Sequence, residues 1–145
     1  MAAATTMADR LRLEVATPTR LVVSGESDEV VVPGVEGAFG VLPGHASLLS
    51  LVGTGEVMYR TGRDEHYLAV SGGFAEVGAG HVTVLAESAE RPEEIDIARA
   101  RAAQERAERR LRGPAGEETD VDRALSAFAR ARTRLQTAGR RASGA

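Results

Sequence analysis

Asp96, Arg99 and Ala100 stand at offsets of three and four, so a helix over this stretch would gather them near one face. Further on, Arg123, Arg130 and Arg134 are spaced by seven and four and share a face of a second helix. Arginine forks match phosphate oxygens, and carboxylates accept hydrogen bonds from hydroxyl groups, so a phosphate- and hydroxyl-bearing ligand is one reading. The same residues are also satisfied with no ligand, as a solvated helix pair in which Asp96 neutralises Arg99, and both readings stay open. Other chemistries find less support. The chain has no cysteine, which removes thiolate nucleophiles, disulfides and cysteine metal sites. His45, His66 and His81 stand apart, with no spacing that would set two metal ligands on one face. His45 has no serine, carboxylate or second histidine at a telling distance and reads as a turn residue.

The elements that carry these residues change character at Pro92, from valine- and glycine-rich to alanine- and arginine-rich. Ala89 to Ala103, AERPEEIDIARARAA, is therefore a junction between two modules. From Leu11 to Glu87, short apolar runs recur about every ten residues between turn-forming clusters, the spacing of an all-β sandwich or barrel. Leu11, Leu13 and Val15 alternate with polar partners. Arg20 to Ser24 and Glu29 to Val32 flank the turn cluster GESD, Gly34 to Gly44 is loop-rich, and Ala46 to Leu51 returns to apolar residues. Glu56 to Arg60 with His66 to Val70, and Phe74 to Val77 with His81 to Leu85, read as two hairpins. With so few aromatic residues, the core must be built from Val, Leu and Ala on two packed inner faces.

Beyond Pro92 the periodicity is helical. A first helix over about Glu94 to Arg112 carries the stripe Ala100, Ala103, Ala107, Leu111 and the four-residue pairs Arg101 with Glu105, Glu105 with Arg109, and Glu108 with Arg112. Glu93, Glu94 and Asp96 suit its N-terminal dipole. Gly113 to Asp120, GPAGEETD, breaks it. A second helix over about Asp120 to Ala138 places Val121, Leu125, Phe128, Ala131 and Leu135 on one face, with Asp120 as N-cap and Gly139 as stop. The expected fold is α+β: an N-terminal antiparallel β-sandwich of about eight to ten short strands over 8–91, then a C-terminal antiparallel helical hairpin over 92–139. Residues 1–7 and 140–145 are expected to be flexible, and Met7 reads as an alternative start. Because the hairpin's contact faces are mostly alanine, its docking on the body is expected to be weak, which hints at a movable element.

The 145 residues allow one main core plus an appendage. All 18 basic residues are arginine, which weakens any single arginine as evidence for bidentate chemistry. Residues 1–92 carry a net charge of −6 and residues 93–145 of +3, an acidic body with a basic tail suited to salt-sensitive docking on an acidic surface. No apolar run approaches the roughly 20 residues that span a bilayer, and Met1 to Thr6 lacks the pattern of a signal peptide, so the chain reads as cytoplasmic. Nucleic-acid binding is disfavoured, since the helices have no stacking aromatics apart from Phe128 and their arginines alternate with glutamates.

GAFGVLPGHASLL (Gly37 to Leu49) and LAVSGGFAEVGAGHVTVLAESAERPEEIDIARA (Leu68 to Ala100) resemble the epsilon subunit of bacterial F-type ATP synthase, and the likeness extends from about Leu11 to Leu135. Ser47 replaces the proline of the usual PGHAPLL form. Ala38 stands where many relatives carry a carboxylate, which leaves a charge-based contact there without its charge. The resemblance implies a rotor component of a proton-translocating complex, with no catalysis of its own, at the cytoplasmic face of the bacterial plasma membrane. Its sandwich would bind the gamma subunit. The loop around Glu36, Gly37, Ala38, Phe39, Gly40, Pro43, Gly44 and His45 would face the c-ring. The hairpin would fold against the sandwich or extend to the alpha and beta subunits and obstruct ATP hydrolysis.

The same resemblance bears on the junction. Ile95, Asp96, Arg99 and Ala100 fit the I/L-D-x-x-R-A pattern of ATP-binding epsilon subunits, Glu90 lies where those carry an acid, and Arg130 and Arg134 match phosphate-contacting arginines. Ala100 would let a ligand approach the helix. No cofactor is required; ATP would be a regulatory ligand. The alternative from another class is a free-standing adenine-nucleotide sensor using the same hairpin.

Overall fold

The computed structural model describes residues 10–113 and 120–144. The expected flexible start, Met7 and most of the expected break between the helices lie outside them. Eight strands, β1 (Leu11–Ala16), β2 (Leu21–Ser27), β3 (Glu29–Gly34), β4 (Gly37–Val41), β5 (Leu48–Leu51), β6 (Thr54–Thr61), β7 (Asp64–Gly78) and β8 (His81–Glu90), precede two helices, α1 (Ile97–Arg112) and α2 (Val121–Ala138). The chain divides into two compact units after Glu90.

The strands hydrogen-bond in the order β2-β1-β8-β7-β6-β3-β4, with β5 on β7. The sandwich arises because β7 and β8 pass through both layers. In one layer, Phe74 to Val77 of β7 pair β5, and the start of β8 pairs β1. In the other, Asp64 to Ser71 of β7 pair β6, which leads to β3 and β4. The corner lies at Gly72 and Gly73, both at positive φ. It also switches the inward parity: Leu68 and Val70 face the core before it, Ala75 and Val77 after it. The β7–β8 ladder keeps a single register through the corner, Ser71 opposite Ser88 and Gly73 opposite Ala86, so the two strands turn over together and both halves bury their apolar set.

Four expectations need correction here. The two strands expected at His66 to Val70 and Phe74 to Val77 are one bent strand, because the glycine pair bends the backbone without ending its ladder with β8. The loop-rich stretch contains β4, an edge strand on β3. The GESD turn shrinks to Asp28, since β2 runs on to Ser27 in register with Leu11. One pairing, β1 with β8, is parallel. The core is aliphatic as expected, with Leu11, Leu13, Val15, Val30, Val32, Val57, Leu68, Val82 and Val84 all buried and Tyr59 its one aromatic. Each such side chain contributes about 1.5–3 kcal/mol on burial.

In the second unit, a 3-10 turn (Pro92–Glu94) precedes α1, and Asp96 caps α1 by accepting the Arg99 amide at 3.0 Å. The break at Ile95 and Asp96 delays the helix relative to the expected start at Glu94. Asp120 caps α2 in the same way through the Arg123 amide at 3.1 Å. The helices pack on each other, and the buried residues are Ala100 and Ala107 of α1 and Ala124, Ala131, Thr137 and Ala138 of α2. Seven-residue spacing puts these alanines on single lines, as in a close-packed coiled pair. The expected stripe is corrected accordingly: Ala103 is half-buried, while Leu111, Val121 and Leu125 are exposed. Of the three expected ion pairs the structure forms Glu108 with Arg112, at 3.8 Å. After α2 the chain forms a 3-10 turn at Gly139–Gly144.

Candidate functional site

The structure separates the residues that sequence grouped as one loop. Glu36 lies in the two-residue turn between β3 and β4, whereas Pro43, Gly44 and His45 follow the far end of β4. Between them Gly37, Ala38 and Gly40 are exposed along the edge strand, while Phe39 packs against the core. The His45 amide donates to Leu42 O at 3.1 Å, and its Nδ1 lies 2.6 Å from Ala46 O, so His45 shapes a turn.

The nucleotide candidates divide between the units. Glu90 ends β8 in the sandwich; the others belong to the helical unit. Ile95 is buried. Asp96 spends one oxygen on its capping bond. Arg99 and Arg130 are exposed, and Arg134 is half-buried with interactions of its own. The two helices pack along each other, and the 3-10 turn before α1 touches both α2 and the turn that follows it. Ala100 is fully buried, and its small side chain serves the packing of the two helices.

A surface that sequence reading passed over lies on the outside of the sandwich. In register across five strands stand Leu51, Phe74, Leu85, Ala16 and Leu21. Their neighbours in each strand point inward, so this row points to solvent, where Leu51 is 63% and Leu21 57% exposed. The row is about 19 Å long at ~4.8 Å per strand. Beside it Leu49 (69% exposed) continues into Glu76, Thr83, Glu14 and Ser24, so a polar row borders the apolar one. Its signal in the sequence is the pair of apolar residues on the solvent-facing parity of FAEV and VTVL.

At one end of the sandwich Asp28 accepts the Gly62 amide at 2.6 Å and Arg10 Nε at 3.2 Å, with Arg60 Nη1 at 3.9 Å. The Gly62 amide first, then the two arginines, hold its carboxyl below the usual carboxylate range, against the opposing pull of desolvation. Among the described residues no cluster of His, Asp and Glu has the makings of a metal site, and no helix is long and apolar enough to cross a membrane.

Residues 10–92 match the family model for the ATP synthase delta/epsilon chain β-sandwich domain, and residues 93–139 match that for the delta/epsilon chain long α-helix domain. The ATP synthase epsilon chain of Nitratidesulfovibrio vulgaris (strain DP4) is 50% identical over 133 residues, 92% of this chain and 98% of its own. That of Solibacter usitatus is 50% identical over 135 residues, 93% of this chain and 100% of its own. The fold also resembles a chain in the Euglena gracilis mitochondrial ATP synthase OSCP/F1/c-ring structure, with a TM-score of 0.76 at 23% identity over 90% of this chain and 81% of that one. With both units matched in order and half the residues shared along nearly the whole length of bacterial epsilon chains, this chain belongs to the ATP synthase delta/epsilon family as an epsilon chain.

Proposed function

We propose that the chain is a rotor subunit that carries c-ring rotation to the gamma subunit through its sandwich and restrains ATP hydrolysis through its helical hairpin. As an epsilon chain it is a non-catalytic component of the central stalk of an F-type ATP synthase. The observation that carries the docking half is the row Leu51, Phe74, Leu85, Ala16 and Leu21. A straight apolar row in water is costly to leave bare, and one narrow enough to be bordered by Glu76 and Glu14 suits a partner element lying across the strands. The gamma subunit is the assigned occupant. The c-ring contact is assigned to β4 and its flanking turns, whose small exposed residues admit close approach. Membrane association then comes through the complex alone, at its cytoplasmic face.

ATP enters as a regulatory ligand of the hairpin, supported by the exposed guanidiniums of Arg99 and Arg130 on helices that lie side by side. The alpha and beta subunits are the partners of an extended hairpin.

One reconstitution tests both halves. Leu51→Glu with Leu85→Glu should weaken gamma binding at least about 100-fold, at roughly tenfold or more per desolvated leucine, while leaving thermal stability nearly unchanged. Truncation after Glu90 should keep gamma binding within about twofold and raise ATPase activity. Unaltered binding of the double variant would remove this row from the interface. Unaltered hydrolysis after truncation would remove the brake.

A further inference from the structure

The backbone around the unit boundary is held by arginines, each within its own unit. Arg20, from the β1–β2 turn, donates Nη2 to Ala89 O at 3.1 Å. Arg141, from the turn after α2, donates Nε to Pro92 O at 2.7 Å and Nη2 to Ile95 O at 2.6 Å. The second grip bears on the start of α1. Arg91 has the extended backbone of an N-cap, Pro92 takes the first helical position, and the Glu94 carboxylate reaches back to the Arg91 amide at 2.8 Å. Proline at the first position, acids in the first turn and a reciprocal Glu three residues on are the local chemistry of an α-helix start. Yet the turn stops after Glu94, Ile95 (ψ 126°) and Asp96 (ψ 100°) turn extended, and a second start follows at Ile97.

The hydrogen bonds explain the interruption. In a continuous helix the Arg99 amide would donate to Ile95 O, four residues back. Here Asp96 Oδ1 takes that amide, and Ile95 O is left for another donor. Arg141 supplies it, and its fork spans the second carbonyl at Pro92. Charge-assisted bonds are roughly twice as strong as neutral ones, which lets one side chain decide between two backbone arrangements close in energy.

We propose that Arg141 is a positioning residue that staples the C-terminal end of the hairpin to its hinge and holds the junction in a broken form. When the staple is released, Ile95 O pairs with the Arg99 amide and α1 extends back to Pro92 as one continuous helix. The turn after α2 thus sets the length of α1. The buried Ile95 side chain remains as a second anchor, so release shifts a population instead of converting it fully. Its meaning for the brake rests on the proposed function; the conformational switch itself does not.

The test uses the full-length chain, without partners, by NMR. In Arg141→Ala, the Cα shifts of Glu94, Ile95 and Asp96 should move toward helical values, with the ratio of continuous to broken form rising tenfold or more. Truncation after Gly139 should do the same. Arg141→Lys, whose single nitrogen reaches one carbonyl at a time, should return part of the way. Asp96→Ala, which frees the Arg99 amide, should move the shifts in the helical direction even with Arg141 present. Movement toward random-coil values in Arg141→Ala would mean that Arg141 merely orders the turn, and unchanged shifts in both that variant and the truncation would mean that it does nothing there; either overturns the proposal. Neither outcome touches the gamma-binding and ATPase results that test the proposed function.

Discussion

At Gly73 the backbone adopts φ 101°, and a Cβ there would run into the Leu85 carbonyl oxygen and Ala86. Gly73→Ala should therefore cost at least about 2 kcal/mol, from positive-φ strain plus displacement of β8. That corresponds to a fall in melting temperature on the order of 10 °C for a unit of this size. Gly25→Ala, with nothing within 4 Å of the new methyl and an ordinary φ, should stay within about 0.5 kcal/mol, so calorimetry on the two variants separates a corner glycine from a permissive one. Asp28 gives a second residue-scale prediction, on pH. Its carboxyl is held below its ordinary value of 3.8 by the Gly62 amide and then by Arg10 and Arg60. Since the folded value lies below the unfolded one, the stabilisation is fully present above about pH 4 and disappears as pH falls through the folded value. Asp28→Asn should lower the urea midpoint at pH 7, and its gap from the parent should close as the pH falls below the ordinary carboxylate value and through the folded one. In the sequence the apolar runs end at Val70 and resume at Phe74, with the glycine pair at 72 and 73 between them. That it bends one strand instead of ending two depends on a ladder with β8 formed by residues more than ten positions away, which no local pattern encodes.

At the scale of elements, the helices show why a legible pattern can place Ala100, Ala107 and Ala131 in the contact correctly and still misplace the larger residues beside them. Amphipathic periodicity favours the largest apolar residues, so Val121 and Leu125 read as the contact stripe of α2. In the structure they are 54% and 50% exposed, while Ala124, Ala131 and Ala138 are buried at seven-residue spacing. Helices approach closely only where small side chains line the seam, and that choice belongs to the pair rather than to either sequence alone. Ala131→Leu should accordingly overpack the seam and cost about 1–3 kcal/mol. Leu125→Ala should change stability by less than about 0.5 kcal/mol, despite removing the larger side chain. Thermal loss of the helical circular dichroism signal checks both; equal effects would put the seam elsewhere. Both N-caps behave differently from the seam: Asp120 is readable because a polar residue precedes a periodic run, and Asp96, which the sequence offers both as a ligand group and as an acid suited to the helix start, caps α1.

For the whole molecule, the open question of the sequence was whether the arginines and acids around the junction bind a nucleotide or only satisfy one another. The structure narrows the available groups: one Asp96 oxygen is committed to the cap, Ala100 is in the helix seam, and Arg99 and Arg130 remain exposed. Two guanidiniums suffice for phosphates but leave recognition of the base to fewer acceptors than the motif suggested, so moderate affinity is expected. Energetics then limit the effect. A ligand at 100 times its dissociation constant stabilises the state it binds by about 2.7 kcal/mol, whereas reversing a 1:99 population needs ~5.5 kcal/mol of differential binding. ATP at cellular levels would therefore tune the hairpin, with the remainder supplied by the assembled rotor. In the isolated chain, saturating ATP should slow amide exchange in the first turn of α1 and the last turns of α2 by up to about 100-fold. Arg130→Ala should abolish the slowing while leaving ligand-free exchange unchanged, because an exposed arginine on α2 adds little to helix stability. Exchange that is insensitive to ATP in the parent chain would leave the arginines and acids as a solvated helix surface and place control of the brake with the rotor alone.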